Sequence, residues 1–98
     1  MSIIKAVALT HTDYMLEKGE ISHDNFMDRF DHLVANAGAI AVGENIACGF
    51  NSTMELVEAW LESDSHKSTI EGNFTNFDIS AEQDDEGKWY YTNIFIRK

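Results

Sequence analysis

The sequence predicts an α+β domain in which helices lie on both faces of a small antiparallel sheet that ends in a C-terminal hairpin. Apolar residues recur at helical spacing in several segments before residue 72, and the pattern changes to strand alternation after Phe74. The last segment, KWYYTNIFIRK, is apolar on both sides of a strand and therefore requires cover on both faces. Helices that precede a terminal hairpin are typical of a layered α+β fold, and all 98 residues are predicted to form one domain.

The first two helices have recognisable start and stop signals. Ser2 caps a helix over residues 3–18 that Gly19 ends, and its apolar positions are Ile3, Ile4, Val7, Ala8, Leu9, Tyr14 and Met15. Either Asp24 or Asn25 caps the second helix, which ends at Gly38. Its apolar face consists of Phe26, Phe30, Leu33 and Val34.

Two further helices follow residue 50. Ser52 and Glu55 have the spacing of a capping box, and the stripe of the third helix is Met54, Val57, Trp60 and Leu61. Either Ser63 or Asp64 caps a short fourth helix at about residues 65–71, which Gly72 closes.

The strands are predicted from alternation and turn chemistry. Phe77, Ile79 and Ala81 alternate with polar residues, and Asp84-Asp85-Glu86-Gly87 supplies a turn. On the return strand, Trp89, Tyr91 and Phe95 share one side, while Tyr90, Ile94 and Ile96 share the other. Residues 39–50, AIAVGENIACGF, contain too many glycines for a helix and are predicted to add a third strand.

Composition restricts the partners. The formal charge of −10 repels phosphate backbones, so we expect no nucleic-acid partner. A single cysteine, Cys48, excludes an internal disulfide and is interpreted as a small buried hydrophobe, not a nucleophile. No apolar run approaches the roughly 20 residues that span a bilayer, so we expect no membrane span. The first residues do not resemble a signal peptide.

Four histidines and one glutamate are the candidates for chemistry. His11 and His32 lie within predicted helices and are assigned solvated or core-edge roles. His23 and His66 each follow a serine at a loop-to-helix junction, in ISHDNF and DSHKST. Glu44 is the one acid in an otherwise apolar stretch, where a carboxylate must be solvated, paired or hydrogen-bonded. Spacing alone gives no local metal motif and favours histidines that bond to their own loops.

Four segments in order carry a resemblance to a known family: HTDYMLEKGEISHDNF, GENIACGF, ELVEAWLESDSHKSTIEGNFTNFDIS and WYYTNIFI. Over about residues 8–96 the chain resembles the bacterial branch of the CAP superfamily, which includes the cysteine-rich secretory proteins, antigen 5 and the pathogenesis-related proteins. Its domain is also called the SCP domain. The shared pattern includes Ser-His, Gly-Glu-Asn-Ile-Ala, a tryptophan near a helix end followed by a histidine, and Asn-x-Phe-Thr.

The resemblance implies an α-β-α sandwich with a cleft where two histidines meet acidic residues, in some members around zinc or another divalent metal. Carried over to this sequence, the cleft consists of His23, Glu44 and His66, and these three are the expected metal ligands. The fourth cleft residue is Glu62 by position, with Glu58 one turn earlier and Ser63 as alternatives. The resemblance also implies a secreted or cell-envelope protein with a small ligand or peptide in the cleft.

The sequence also departs from the family pattern. It begins where the second element of the family is expected, so the usual first helix is missing, which implies either a shortened chain or a reduced domain. A homodimer is then expected to cover the face that this helix leaves. The usual Gly-His-Arg is Ser65-His66-Lys67, which replaces a planar guanidinium with a compact ammonium charge.

Three functional hypotheses follow. The preferred one is a non-enzymatic binding domain whose cleft holds a divalent metal and a small amphiphile or peptide. The alternative is a metal-dependent hydrolase with His66 or Glu44 as the general base, since zinc lowers the pKa of bound water to about 7. The third is a purely structural hydrogen-bonded cluster.

Overall fold

The computed structural model describes all 98 residues as four helices and three strands. The helices are α1 (Ile3–Lys18), α2 (Phe26–Ala37), α3 (Thr53–Leu61) and α4 (Asp64–Ile70). The strands are β1 (Ala41–Cys48), β2 (Asn76–Gln83) and β3 (Trp89–Arg97). The predicted α+β class is confirmed, including the third strand from the glycine-containing segment. No helix combines the length and the apolar character required to cross a membrane.

The sheet is antiparallel with strand order β1-β3-β2, so the last strand in the sequence is the central one. Ala41 of β1 pairs with Arg97, and Gln83 of β2 pairs with Trp89. This order explains why β3 is apolar on both sides, because a central strand between two helical layers has no solvent face.

The first face of the sheet is covered by α1 and α2. Its main cluster contains Ile4, Ala8, Leu33, Ala39, Ile94 and Ile96. A second cluster near the far end of α1 contains Met15, Ile46 and Tyr90. A buried polar contact also joins α1 to the sheet, where the hydroxyl of Thr12 donates to that of Thr92 at 2.8 Å. Tyr90, Ile94 and Ile96 therefore share one side of β3, as predicted, and this side faces α1 and α2.

The second face carries the other side chains of β3. Tyr91 packs there with Ala47, Leu56 and Trp60 in a separate buried cluster, to which Ile70 of α4 contributes at the edge. Ser52 caps α3 through its side chain, which accepts a hydrogen bond from the Glu55 amide at 3.2 Å. β1 is an edge strand of the sheet, which lies between the two helical layers. Successive residues of β1 therefore face opposite layers.

Two predicted caps differ in detail from the structure. Asn25 occupies the N-cap of α2, but its backbone is left-handed (φ 64°) and its side chain makes no capping bond, because N-cap residues that cap have extended backbone. Ser63 occupies the N-cap of α4, which spans residues 64–70 instead of 65–71. Its hydroxyl makes no backbone cap because it contacts a histidine side chain instead.

Candidate functional site

The candidate site is centred on Glu44, in the middle of the edge strand β1. Glu44 pairs with Ile94 in the sheet, and its side chain faces the α1/α2 layer with only 2% exposure. A carboxylate removed from water at this depth requires several hydrogen bonds to compensate for its lost solvation. Both of its oxygens are hydrogen-bonded to neighbouring side chains.

Arg29 of α2 is the principal partner of Glu44. Its Nε lies 2.6 Å from Oε2 and its Nη2 lies 2.7 Å from Oε1, which is the bidentate arrangement that gives an arginine–carboxylate pair its geometric specificity. The guanidinium side chain is only 9% exposed. Arg29 therefore neutralises Glu44 inside the protein and joins α2 to β1.

His23 completes the shell of Glu44 from the surface side. Its Nδ1 lies 2.8 Å from Glu44 Oε1, and 56% of its side chain is exposed. Because an ionised carboxylate only accepts hydrogen bonds, this contact places the proton of a neutral His23 on Nδ1. The lone pair of Nε2 is then available, and Nε2 has no hydrogen-bond partner within the chain.

The loop that carries His23 is held by three consecutive carbonyl groups. The Ser22 carbonyl accepts from His11 Nε2 at 2.7 Å, and the His23 carbonyl accepts from the Phe26 amide at 3.1 Å. The Asp24 carbonyl accepts from Arg29 Nη1 at 2.5 Å. The position of the exposed imidazole is thus fixed by bonds from both α1 and α2.

His11 belongs to this arrangement as a buried member. It is 3% exposed, and its Nε2 lies 4.0 Å from Glu44 Oε1. Burial lowers the pKa of His11, and the charges of Arg29 and His23 act in the same direction, against the bond to Ser22 and the charge of Glu44. His11 is therefore held as a neutral donor, which agrees with the predicted core-edge role and adds a contact to the site.

His66 approaches β1 from the opposite layer. Its Nδ1 shares a hydrogen bond with Ser63 Oγ at 2.9 Å, and its ring stacks on Trp60 with 6.0 Å between centroids. Its carbonyl accepts from Asn45 Nδ2 at 3.1 Å. Glu44 and Asn45 are adjacent in β1, so their side chains lie on opposite faces of the sheet. Glu44 contacts the ring of His23 and Asn45 contacts the carbonyl of His66, so one edge strand links the two histidines.

Burial also lowers the pKa of His66, and the positive charge of His23 contributes in the same direction. Burial therefore favours the neutral form of the His66 imidazole.

The structure brings His23 and Glu44 into direct contact and places His66 at the same edge of β1. Glu62 lies at the C-cap of α3, is exposed, and makes no ion pair or side-chain hydrogen bond to this group. Glu58, the alternative, is also exposed. Ser63 is the neighbour that contacts His66. His32 lies on the exposed surface of α2, and Asn36 is the one side chain to which it is hydrogen-bonded.

The carboxylate of Glu44 is not placed as a free third metal ligand beside the two histidines. No group of three His, Cys, Asp or Glu side chains is arranged to hold a metal ion. Glu44 does not offer a free oxygen, because Arg29 and His23 occupy its carboxylate. The Glu44 carboxylate instead accepts a hydrogen bond from His23 Nδ1, and a contact of this kind orients a histidine whose other ring nitrogen binds a metal.

Sequence reasoning missed Arg29 and the contact between His11 and the site. A signal for Arg29 was present, because it lies three residues after Phe26 and four before Leu33, on the apolar face of α2. An arginine in that position needs a carboxylate partner, and Glu44 was the one acid in an apolar segment. The His11 contact had no local signal, because it depends on how α1 packs beside the loop.

Comparisons with solved structures give two matches over 97% of the chain. One is an outer surface protein from Borrelia burgdorferi, with a TM-score of 0.82 and 21% identity over 73% of that chain. The other is an extracellular protein containing an SCP domain from Bacillus anthracis, with a TM-score of 0.79 and 27% identity. This chain spans 32% of the length of the Bacillus protein.

No family model matches the sequence, and no curated protein matches it by sequence search. The resemblance noted in the sequence is confirmed at the level of structure, because both matches extend over nearly the whole chain. The chain is therefore an α+β domain with the SCP, or CAP-like, fold.

Proposed function

We propose that this chain is a non-enzymatic binding domain that holds a divalent cation such as zinc between the imidazoles of His23 and His66. The observation that carries the proposal is that both histidines use Nδ1 for a bond within the protein, to Glu44 and to Ser63. Metal-ligating histidines typically have one ring nitrogen engaged in this way, which fixes the tautomer and the orientation of the other. In each ring Nε2 is the nitrogen without a partner in the chain.

Glu44 and Arg29 have different roles in the cleft, and these roles follow from their charges. Glu44 orients His23, and the buried guanidinium of Arg29 balances the charge of that carboxylate within the protein. Two neutral imidazoles leave the remaining coordination positions of a cation to solvent or to a ligand, such as the carboxylate of a peptide or of a small amphiphile. A cation bound there would supply positive charge for holding such a group.

Calorimetric titration with zinc chloride at about pH 7.5 tests the metal site, since neutral imidazoles are then available. We expect wild-type protein to bind one zinc ion, and His23→Ala and His66→Ala each to weaken binding by at least about tenfold. His32→Ala is the matched control, because His32 is exposed and distant from Glu44 in the hydrogen-bond network. No binding by wild type, or equal binding by all variants, would overturn the metal site.

The alternative hypothesis is decided by the same variants. Turnover of a peptide or ester that requires both added metal and His66 would favour a metal-dependent hydrolase over a binding domain. The match to an extracellular Bacillus anthracis protein supports a secreted or cell-envelope location. Fractionation of cells that express the full gene tests the location, and sedimentation velocity tests the expected homodimer.

A further inference from the structure

A pocket lies on the α3/α4 face of the sheet, apart from the Glu44 carboxylate. Its volume is about 410 Å³, within the range of small-molecule sites. Its aromatic walls are Trp60, Phe74, Phe77 and Phe95. Phe95 contacts both Phe74 and Phe77, with centroid distances of 5.6 and 5.9 Å, so three rings form a connected surface.

One residue that lines this aromatic pocket has a buried polar atom without a partner. Asn93, in the middle of the central strand β3, is 7% exposed and lines the pocket. Its Oδ1 is buried and accepts no hydrogen bond. Burying an acceptor in this way costs folding free energy, and unpaired buried groups in native proteins are often explained by a ligand or an ordered water.

The mouth of the pocket is also unusual. Phe77 on β2 is 65% exposed although it contacts Phe95, so a large aromatic ring stands at the edge of the pocket in contact with solvent. Asn76, the other asparagine of the pocket, is exposed, and its Oδ1 already accepts a hydrogen bond from Thr75 Oγ1 at 2.8 Å. Asn93 is therefore the pocket asparagine with an open acceptor.

We propose that this pocket binds a small aromatic molecule that carries a hydroxyl or N–H donor, with the ring against Phe74 and Phe95 and the donor bonded to Asn93 Oδ1. The aromatic walls suit a flat apolar ring, since ring pairs in offset or edge-to-face contact contribute beyond the area they bury. The unpaired acceptor of Asn93 favours a ligand with a donor, because a ligand without one leaves Asn93 Oδ1 without a hydrogen bond.

The test compares p-cresol with toluene, which differ only in the hydroxyl group. Ligand-observed and protein-observed NMR titrations give both dissociation constants, and intermolecular NOEs locate the ring. In wild type we expect NOEs from p-cresol to Phe74 and Phe95 and a shifted Asn93 side-chain amide. Asn93→Leu should fold, because removing an unpaired acceptor is neutral or stabilising. It should reduce the preference for p-cresol over toluene by about tenfold.

Asn36→Leu, on the exposed surface of α2 and outside the pocket, is the matched control and should leave the preference within about twofold of wild type. Three results would overturn the proposal: no saturable binding of p-cresol to wild type, NOEs that place the ring outside this pocket, or an unchanged preference in Asn93→Leu. The zinc titration is independent of this outcome, because neither asparagine is part of the histidine cleft. The wild-type comparison also stands if a variant fails to fold.

Discussion

Arg29 and Glu44 form a bidentate ion pair in which neither side chain is more than 9% exposed. The pair joins α2 to the edge strand β1 and supplies the negative charge against which His23 is oriented. It is therefore both a structural contact and the base of the candidate site.

Removal of one member of this pair should destabilise the protein strongly. Arg29→Met leaves a buried carboxylate without its main partner, and we expect the free energy of unfolding to fall by about 3 to 5 kcal/mol. Urea denaturation followed by circular dichroism measures this change. Lys67→Met, an exposed charge on α4, is the control and should change stability by less than about 0.5 kcal/mol. The double variant Arg29→Met with Glu44→Leu should recover much of the loss, and a failure to recover any would contradict the assignment.

Stability should decrease as the pH falls through the ordinary histidine range. The folded-state pKa values of His11 and His66 are lowered, so near and below pH 6.5 the unfolded chain binds more protons than the folded one. The associated stability is complete above about pH 6.5 and is lost on acidification toward the lowered values. Urea denaturation at a series of pH values from about 7.5 to 5.5 measures the slope. His11→Gln should have a shallower slope than wild type, and an equal slope would contradict this account.

The hydrogen bond between Ser63 and His66 should control the state of the imidazole. In Ser63→Ala the Nδ1 atom loses its partner, so we expect ¹⁵N shifts of His66 to move from one dominant tautomer toward a mixture. If zinc binds as proposed, its affinity should fall by about 10- to 100-fold. Ser65→Ala is the control, since Ser65 is exposed and its hydroxyl makes no hydrogen bond. Equal effects of the two substitutions would rule out a specific role for Ser63.

Gly43 should not tolerate a side chain. A Cβ at this position would lie 2.8 Å from Phe74 Cζ and 3.1 Å from Thr69 Cγ2, closer than atoms in a packed core approach. We expect Gly43→Ala to lower the free energy of unfolding by about 1 to 3 kcal/mol. The double variant Gly43→Ala with Phe74→Leu should lose less than the sum of the two single variants, because the smaller side chain relieves the contact. Additive losses would show that Phe74 is not the obstructing group.

Local patterns were sufficient for the fold. The alternation in KWYYTNIFIRK predicted both faces of β3, and the glycines of residues 39–50 correctly excluded a helix. Ser52 was identified as a cap because capping depends only on residues three apart. The pairing of Arg29 with Glu44 was not predicted, because it depends on the placement of α2 against β1. The same applies to His11, whose bond to Ser22 depends on the path of the loop after α1.

The strand order also constrains how the domain can be made. Both outer strands pair only with β3, and Ala41 at the start of β1 pairs with Arg97 at the end of β3. During synthesis the segments that become β1 and β2 therefore leave the ribosome without a sheet to join, and the Glu44 segment stays unanchored until Trp89–Arg97 follows. The pairing of β1 with β3 joins residues far apart in the sequence, which is the kind of contact that slows folding, so we expect the sheet to form only after β3 has been synthesised.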